Sequence, residues 1–166
     1  MADTARGKVS MTPVVTILAD DDADTVDAIH HDIKRTLGGT LEYEKADAND
    51  KWVYQTERDI TGTSADLITS GTAFTEGGTT TTSDHVKFLF LKSSGTTNGT
   101  VETAAVVYLN LSASNAAGTP DVIEVGKGEA VVLKFKDGLD SADVHVATDG
   151  VSSVRCTYAA ILDDVA

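Results

Sequence analysis

The sequence predicts a mainly β protein: an antiparallel β-sandwich, jelly-roll-like, with an extended N-terminal arm and at most one or two short helices. Three observations carry this. The apolar runs HVKFLFLK, VETAAVVYLNL and VIEVGKGEAVVLKF between His85 and Phe135 have strand length and are rich in Val, Leu and Phe. Gly-rich turns separate them, notably SSGTTNGT with Asn98-Gly99. Further on, ADVHVATD and VRCTYAAIL alternate with a period of two, as half-buried strands do.

The chain divides into an arm with the first strand, residues 1–19, and a single sandwich domain, residues 20–166. The arm is polar and without periodicity up to Thr12. Val14–Leu18 is a short apolar strand entered through Pro13, where a missing N–H is tolerated. From Val26 to Leu37, apolar residues at Val26, Ile29, Ile33 and Leu37 share one helical face. Acids crowd the first turn, and Lys34 and Arg35 precede Gly38-Gly39. This reads as a short helix, with a strand-and-loop region as the competing reading. Leu41–Lys45 and Trp52–Thr56 form a hairpin around the turn ADAND. SADLI is a brief helical turn or loop, and SGTAFTEGGTTTTSD an exposed polar connection.

HVKFLFLK is apolar on both faces, with Val86, Phe88 and Phe90 on one and Leu89 and Leu91 on the other. Such a strand is covered on both sides. In an antiparallel sheet the second cover is a helix, a loop or another subunit. VETAAVVYLNL returns from it through the Asn98-Gly99 turn. VIEV and EAVVLKF make a second hairpin-like pair around Gly126 and Gly128, and DGLDS is a turn. Val144 and Val146 point inward and His145 outward. In the last strand Val154, Cys156, Tyr158 and Ala160 share a face. The count is about eight or nine short strands, the spacing of a sandwich or jelly roll.

Composition narrows the function. At 166 residues the chain is about one domain long and buries roughly 68–70% of its unfolded surface without needing a disulfide or metal. Its net charge of −13 repels nucleic acid and anionic membranes, because both are bound through Lys and Arg. The N-terminus carries no apolar signal segment, and no run reaches the ~20 apolar residues of a membrane span. This predicts synthesis in the cytoplasm. One cysteine, Cys156, allows no internal disulfide and reads as a small buried hydrophobe.

Asp20, Asp21, Asp22 and Asp24 contain D-x-D-x-D, a spacing that presents carboxylates to Ca²⁺. An EF-hand loop would need Gly at Thr25 and Glu at His31, so a solvated segment is the better reading. His30 and His31 point apart on a helix and do not chelate. No H-E-x-x-H, G-x-S-x-G, phosphate-binding loop or dinucleotide fingerprint is present. The expectation is a non-enzyme with no catalytic residues, cofactor or metal. A glycan-binding module is the alternative, resting on Trp52 and Tyr54.

The phrases DKWVYQTERDITGTSADLITSG, DHVKFLFLKSSGTTNGT, VIEVGKGEAVVLKF and VSSVRCTYAAILDDV, spanning Trp52 to Val165, resemble virion structural proteins of tailed bacteriophages. The style is that of the head decoration (cement) type. The resemblance implies a sandwich that binds the outer capsid surface and stabilises the head. Its partners would be the major capsid protein and copies of itself, trimer favoured over dimer, in a virion assembled in the host cytoplasm. The alternative within this resemblance is a tail or fibre component that binds host glycan. Residues 1–19 are then the expected capsid clamp. Val14, Val15, Ile17, Trp52, Phe88 and Phe90 are the candidate interface residues.

Overall fold

The computed structural model describes residues 6–11, 39–44, 49–75, 77–112 and 122–164. The expected helix, the Val14–Leu18 strand and the Asp20–Asp24 and His30-His31 motifs lie outside these residues. The strands are β1 (Arg6–Met11), β2 (Gly39–Glu44), β3 (Asp50–Ile60), β4 (Ala65–Asp66), β5 (His85–Ser93) and β6 (Thr96–Thr97). They continue with β7 (Val101–Glu102), β8 (Val107–Asn110), β9 (Ile123–Val125), β10 (Ala130–Asp140), β11 (His145–Ala147) and β12 (Val154–Asp163). A single 3₁₀ turn, Ser141–Asp143, is the only helical element among the described residues.

The expected antiparallel sandwich is present. One sheet has the order β10-β5-β12-β3, the other β4-β11-β8-β9. All pairings are antiparallel. Between β3 and β12 the chain passes back and forth between these two sheets, apart from the β8–β9 step and the β6–β7 hairpin, which forms a small sheet of its own. The core lies between the sheets. Val53, Leu89, Leu91, Cys156, Tyr158 and Leu162 come from the first, and Leu67, Val107, Leu109, Val125, Val144 and Val146 from the second. Fully burying a side chain of this size is worth about 1.5–3 kcal/mol, and the inward face of β12 is the one its alternation predicts.

Strand pairing departs from the sequence reading in three places. β2 pairs with β1, not β3, so the expected Leu41/Trp52 hairpin does not form. The arm up to Thr12 thus carries a strand where no periodicity announced one. β5 does not pair with the strand that follows it, because β10 and β12 occupy both its edges. Asn98-Gly99 still makes its turn: φ is +48° and +83° at the two residues, the primed geometry of a tight hairpin. That hairpin holds only β6 and β7, and the chain then crosses to β8 in the other sheet. Likewise β9 and β10 lie in different sheets, joined by a turn in which the Glu129 N–H donates to the Gly126 carbonyl.

Side-chain placement adds further corrections. The register of β5 against β12 slips at Val86–Lys87, which turns Val86 onto the Leu89 face instead of the Phe88 face. SADLI is not helical: it forms β4 and then buries Leu67 and Ile68. The Thr-rich connection is not simply exposed, since Thr72, Phe74 and Thr80 are buried and Thr80 Oγ1 donates to the Thr69 carbonyl. DGLDS does not end its strand, because β10 resumes pairing at Leu139 after an irregular stretch. His145 is not outward but 7% exposed, with Nδ1 3.0 Å from Asp66 Oδ1. The Arg58 Nη2 donates to the Asp66 carbonyl at 2.8 Å, so both contacts hold β4 to the sandwich.

Cys156 and Tyr158 titrate in the core. Burial pushes the thiol from 9.0 up to about 12, with the Asp59 charge adding to it and Arg58 opposing. Burial likewise pushes the Tyr158 phenol from 10.0 up to about 12. Both are acids whose neutral form is favoured by folding, so their contribution is complete below the unfolded pKa and is lost as pH rises towards the folded one. Stability to urea should therefore fall between about pH 9 and 12. The fall should be shallower in Tyr158→Phe. Cys156 should resist a thiol reagent at pH 8 until the protein is unfolded; rapid native-state labelling would contradict the burial.

Candidate interaction face

The four-stranded β10-β5-β12-β3 sheet has a second, outward face, and it is apolar at its centre. Register sets the rows. Val132 lies opposite Phe90, Phe90 opposite Ala159, and Ala159 opposite Tyr54. One row further, Lys134, Phe88, Ile161 and Trp52 are aligned. Phe88 and Ile161 are buried, and Leu41, Tyr43, Trp52, Phe90 and Val132 pack around them as a cluster separate from the inner core.

The β1–β2 hairpin covers part of this face. The Tyr43 ring stacks on Phe88 at 6.5 Å, its hydroxyl donates to Asp50 Oδ2 at 3.1 Å, and the Lys134 ammonium stands 5.6 Å from its centroid. A stacked ring pair of this kind adds about 0.5–1.5 kcal/mol beyond its buried area. Among the described residues the Phe90 row has no such cover. Phe90, Val132 and Ala159 remain partly accessible, and Tyr54 is 51% exposed, its ring 6.4 Å from Trp52.

Ion pairs bound the face at both ends. At one end Lys87 meets Asp163 at 3.1 Å. At the other, Arg155 makes two parallel bonds to Asp59, at 2.8 and 2.9 Å, and these bonds hold the Asp59 carboxyl below its ordinary range. Lys92, in the row beyond Phe90, is exposed. The face therefore has an apolar centre and a charged rim.

Of the sequence-derived interface residues, the structure brings Trp52, Phe88 and Phe90 into this one cluster. Val14, Val15 and Ile17 lie outside the described residues. Sequence reasoning missed Tyr43, Val132 and Ile161. A signal was present for Ile161: the end of β12, AAIL, is apolar in consecutive positions, which marks a strand covered on both faces. Tyr43 and Val132 reach the cluster only through pairings that join distant segments. Among the described residues no group of three or more His, Cys, Asp or Glu is placed to hold a metal ion. No helix among them is long and apolar enough to cross a membrane.

Comparison of the chain with protein families, with curated protein sequences and with solved structures returned no match.

The two rows should respond differently to substitution. Phe88→Ala removes a ring packed under the hairpin and should cost about 3–5 kcal/mol. Val132→Glu, at the accessible row, should change unfolding free energy by about 1 kcal/mol or less. Chemical denaturation of both variants checks this; equal losses would mean that the Phe90 row is as enclosed as the Phe88 row.

Proposed function

We propose that this protein is a non-enzymatic structural protein of a bacteriophage-type virion, a decoration subunit that binds the outer capsid surface and reinforces the head. The observation that carries the reading is the outward apolar face of the β10-β5-β12-β3 sheet, which among the described residues is covered only in part, by the β1–β2 hairpin. Self-association would bury the remainder, and the N-terminal residues 1–19 would engage the major capsid protein. The resemblance of the Trp52–Val165 segment supplies the virion setting. The charge of −13 suits an outer surface and opposes contact with packaged nucleic acid.

In this mechanism no bond is made or broken. Copies held together present several arms at once, so each arm after the first binds at a high effective concentration. Linking sites in this way raises avidity by about 10²–10⁴ without a new contact. The glycan-binding alternative requires Trp52 and Tyr54 together on an open face. Tyr54 is exposed, but Trp52 is half-buried in the Phe88 cluster, which favours a protein contact.

Co-sedimentation with empty capsids tests the reading. Wild-type protein should bind and raise the temperature at which the particles rupture. Val132→Glu, folded but deprived of its apolar face, should lose occupancy about tenfold or more. Wild-type protein that neither binds capsids nor shifts their rupture temperature would overturn it.

A further inference from the structure

The outward face has an accessible apolar row, and elsewhere the molecule carries a projection shaped to fill one. The turn between β11 and β12 holds Val151 at 92% exposure. A side chain so exposed is ordinarily carried on a loose loop, but this turn is braced throughout. The backbone N–H groups of Val151 and Ser152 both donate to Asp149 Oδ1, at 3.0 and 2.8 Å. Thr148 Oγ1 donates to the Ser152 carbonyl at 2.8 Å and accepts from the Gly150 N–H at 3.3 Å. The Thr148 N–H donates to the Gly62 carbonyl at 2.8 Å, which fixes the turn to the β3–β4 loop. Gly150 has φ +82°, where a side chain is strained, and a Cβ there would lie 3.0 Å from Thr63 Cγ2. The ordering entropy of an apolar tip held in this way is met on folding and not on binding.

We propose that Val151 and Asp149 of one copy seat on the Phe90–Val132–Tyr54 row of a second copy, in a head-to-tail contact. This rests on the reading of the outward face as a subunit interface and names its occupant. Charge complementarity selects the pairing. Asp149 is an exposed acid beside the apolar tip, and the receiving row is flanked by the exposed cation Lys92. In a chain with 26 acids and 13 Lys and Arg, an approach that sets an acid towards a cation is favoured over one that sets acid against acid. Val154 to Ala159 alone spans about 17 Å of strand, so the tip and the row of one molecule occupy separate places, and the contact is heterologous. Such contacts close into rings when the rotation allows it. The β3–β4 loop and the β6–β7 hairpin lie at the same end as the turn. Val101 of that hairpin is 62% exposed, so both widen the contact towards the ~800 Å² per partner of a stable interface.

Disulfide trapping tests this with two single variants, Val151→Cys and Val132→Cys. The native Cys156 stays in place, because it is buried among core side chains. Each variant is oxidised alone and as an equal mixture, and covalent dimers are read on a non-reducing gel. The mixture should give dimer well above either variant alone. No dimer in the mixture, or Val132→Cys linking to itself, would overturn the contact. Light scattering provides a second reading: the wild type should show an assembled mass that Val151→Asp, with an unchanged far-ultraviolet spectrum, loses; a monomeric wild type or an unchanged mass in the variant would overturn it. Capsid binding by the wild type is measured alongside. A failed cross-link with capsid binding intact rejects this contact alone, and a sound cross-link without capsid binding rejects only the virion reading.

Discussion

The fold depends on β5 being buried on both faces. Leu89 and Leu91 fill the space between the two sheets, while Phe88 lies on the other side under Tyr43. A strand with four consecutive large apolar residues, Phe88 to Leu91, cannot sit at an edge or face water on one side without exposing several large side chains. It is therefore central, between β10 and β12, and it needs two covers. The second sheet provides one. Among the described residues the β1–β2 hairpin provides part of the other, and the Phe90 row beyond it stays partly accessible.

That partial cover explains the distribution of polar groups. Where the hairpin sits, Tyr43 keeps its hydroxyl bonded to Asp50 while its ring is buried against Phe88. At the ends of the sheet, Lys and Arg pair with Asp across neighbouring strands, as in Arg155 with Asp59. These pairs are partly exposed, so each contributes little to stability. They enclose the apolar rows and give the face a defined rim. The buried polar contacts, His145 with Asp66 and Arg58 with the Asp66 carbonyl, have a different role: they anchor a two-residue strand too short to be held by its ladder alone.

The sequence made the strands legible and their partners much less so. Period-two alternation located β11 and β12, and Asn98-Gly99 marked a true turn. Pairing was misread wherever adjacency in sequence was taken for adjacency in the sheet. The hairpin signal at Asn98-Gly99 is local, whereas the edges of β5 are claimed by segments about 40 and 70 residues further along, through long-range hydrophobic matching that no local rule encodes. His145 was read as outward from alternation alone, because its partner Asp66 lies 79 residues away. Of the outward cluster, the aromatic members Trp52, Phe88 and Phe90 are visible as residues too apolar for an exposed strand. Val132 is not, since Val is unremarkable in any strand.

The proposed assembly requires the outward sheet face to be covered by another protein surface. Hydroxyl-radical footprinting of the wild type, dilute and then assembled, measures this at the side chains themselves. Tyr54 and Phe90 should be oxidised readily in the dilute protein and protected in the assembly. Oxidation of both at the same rate in the two states would show that the face stays open to water and would contradict the account.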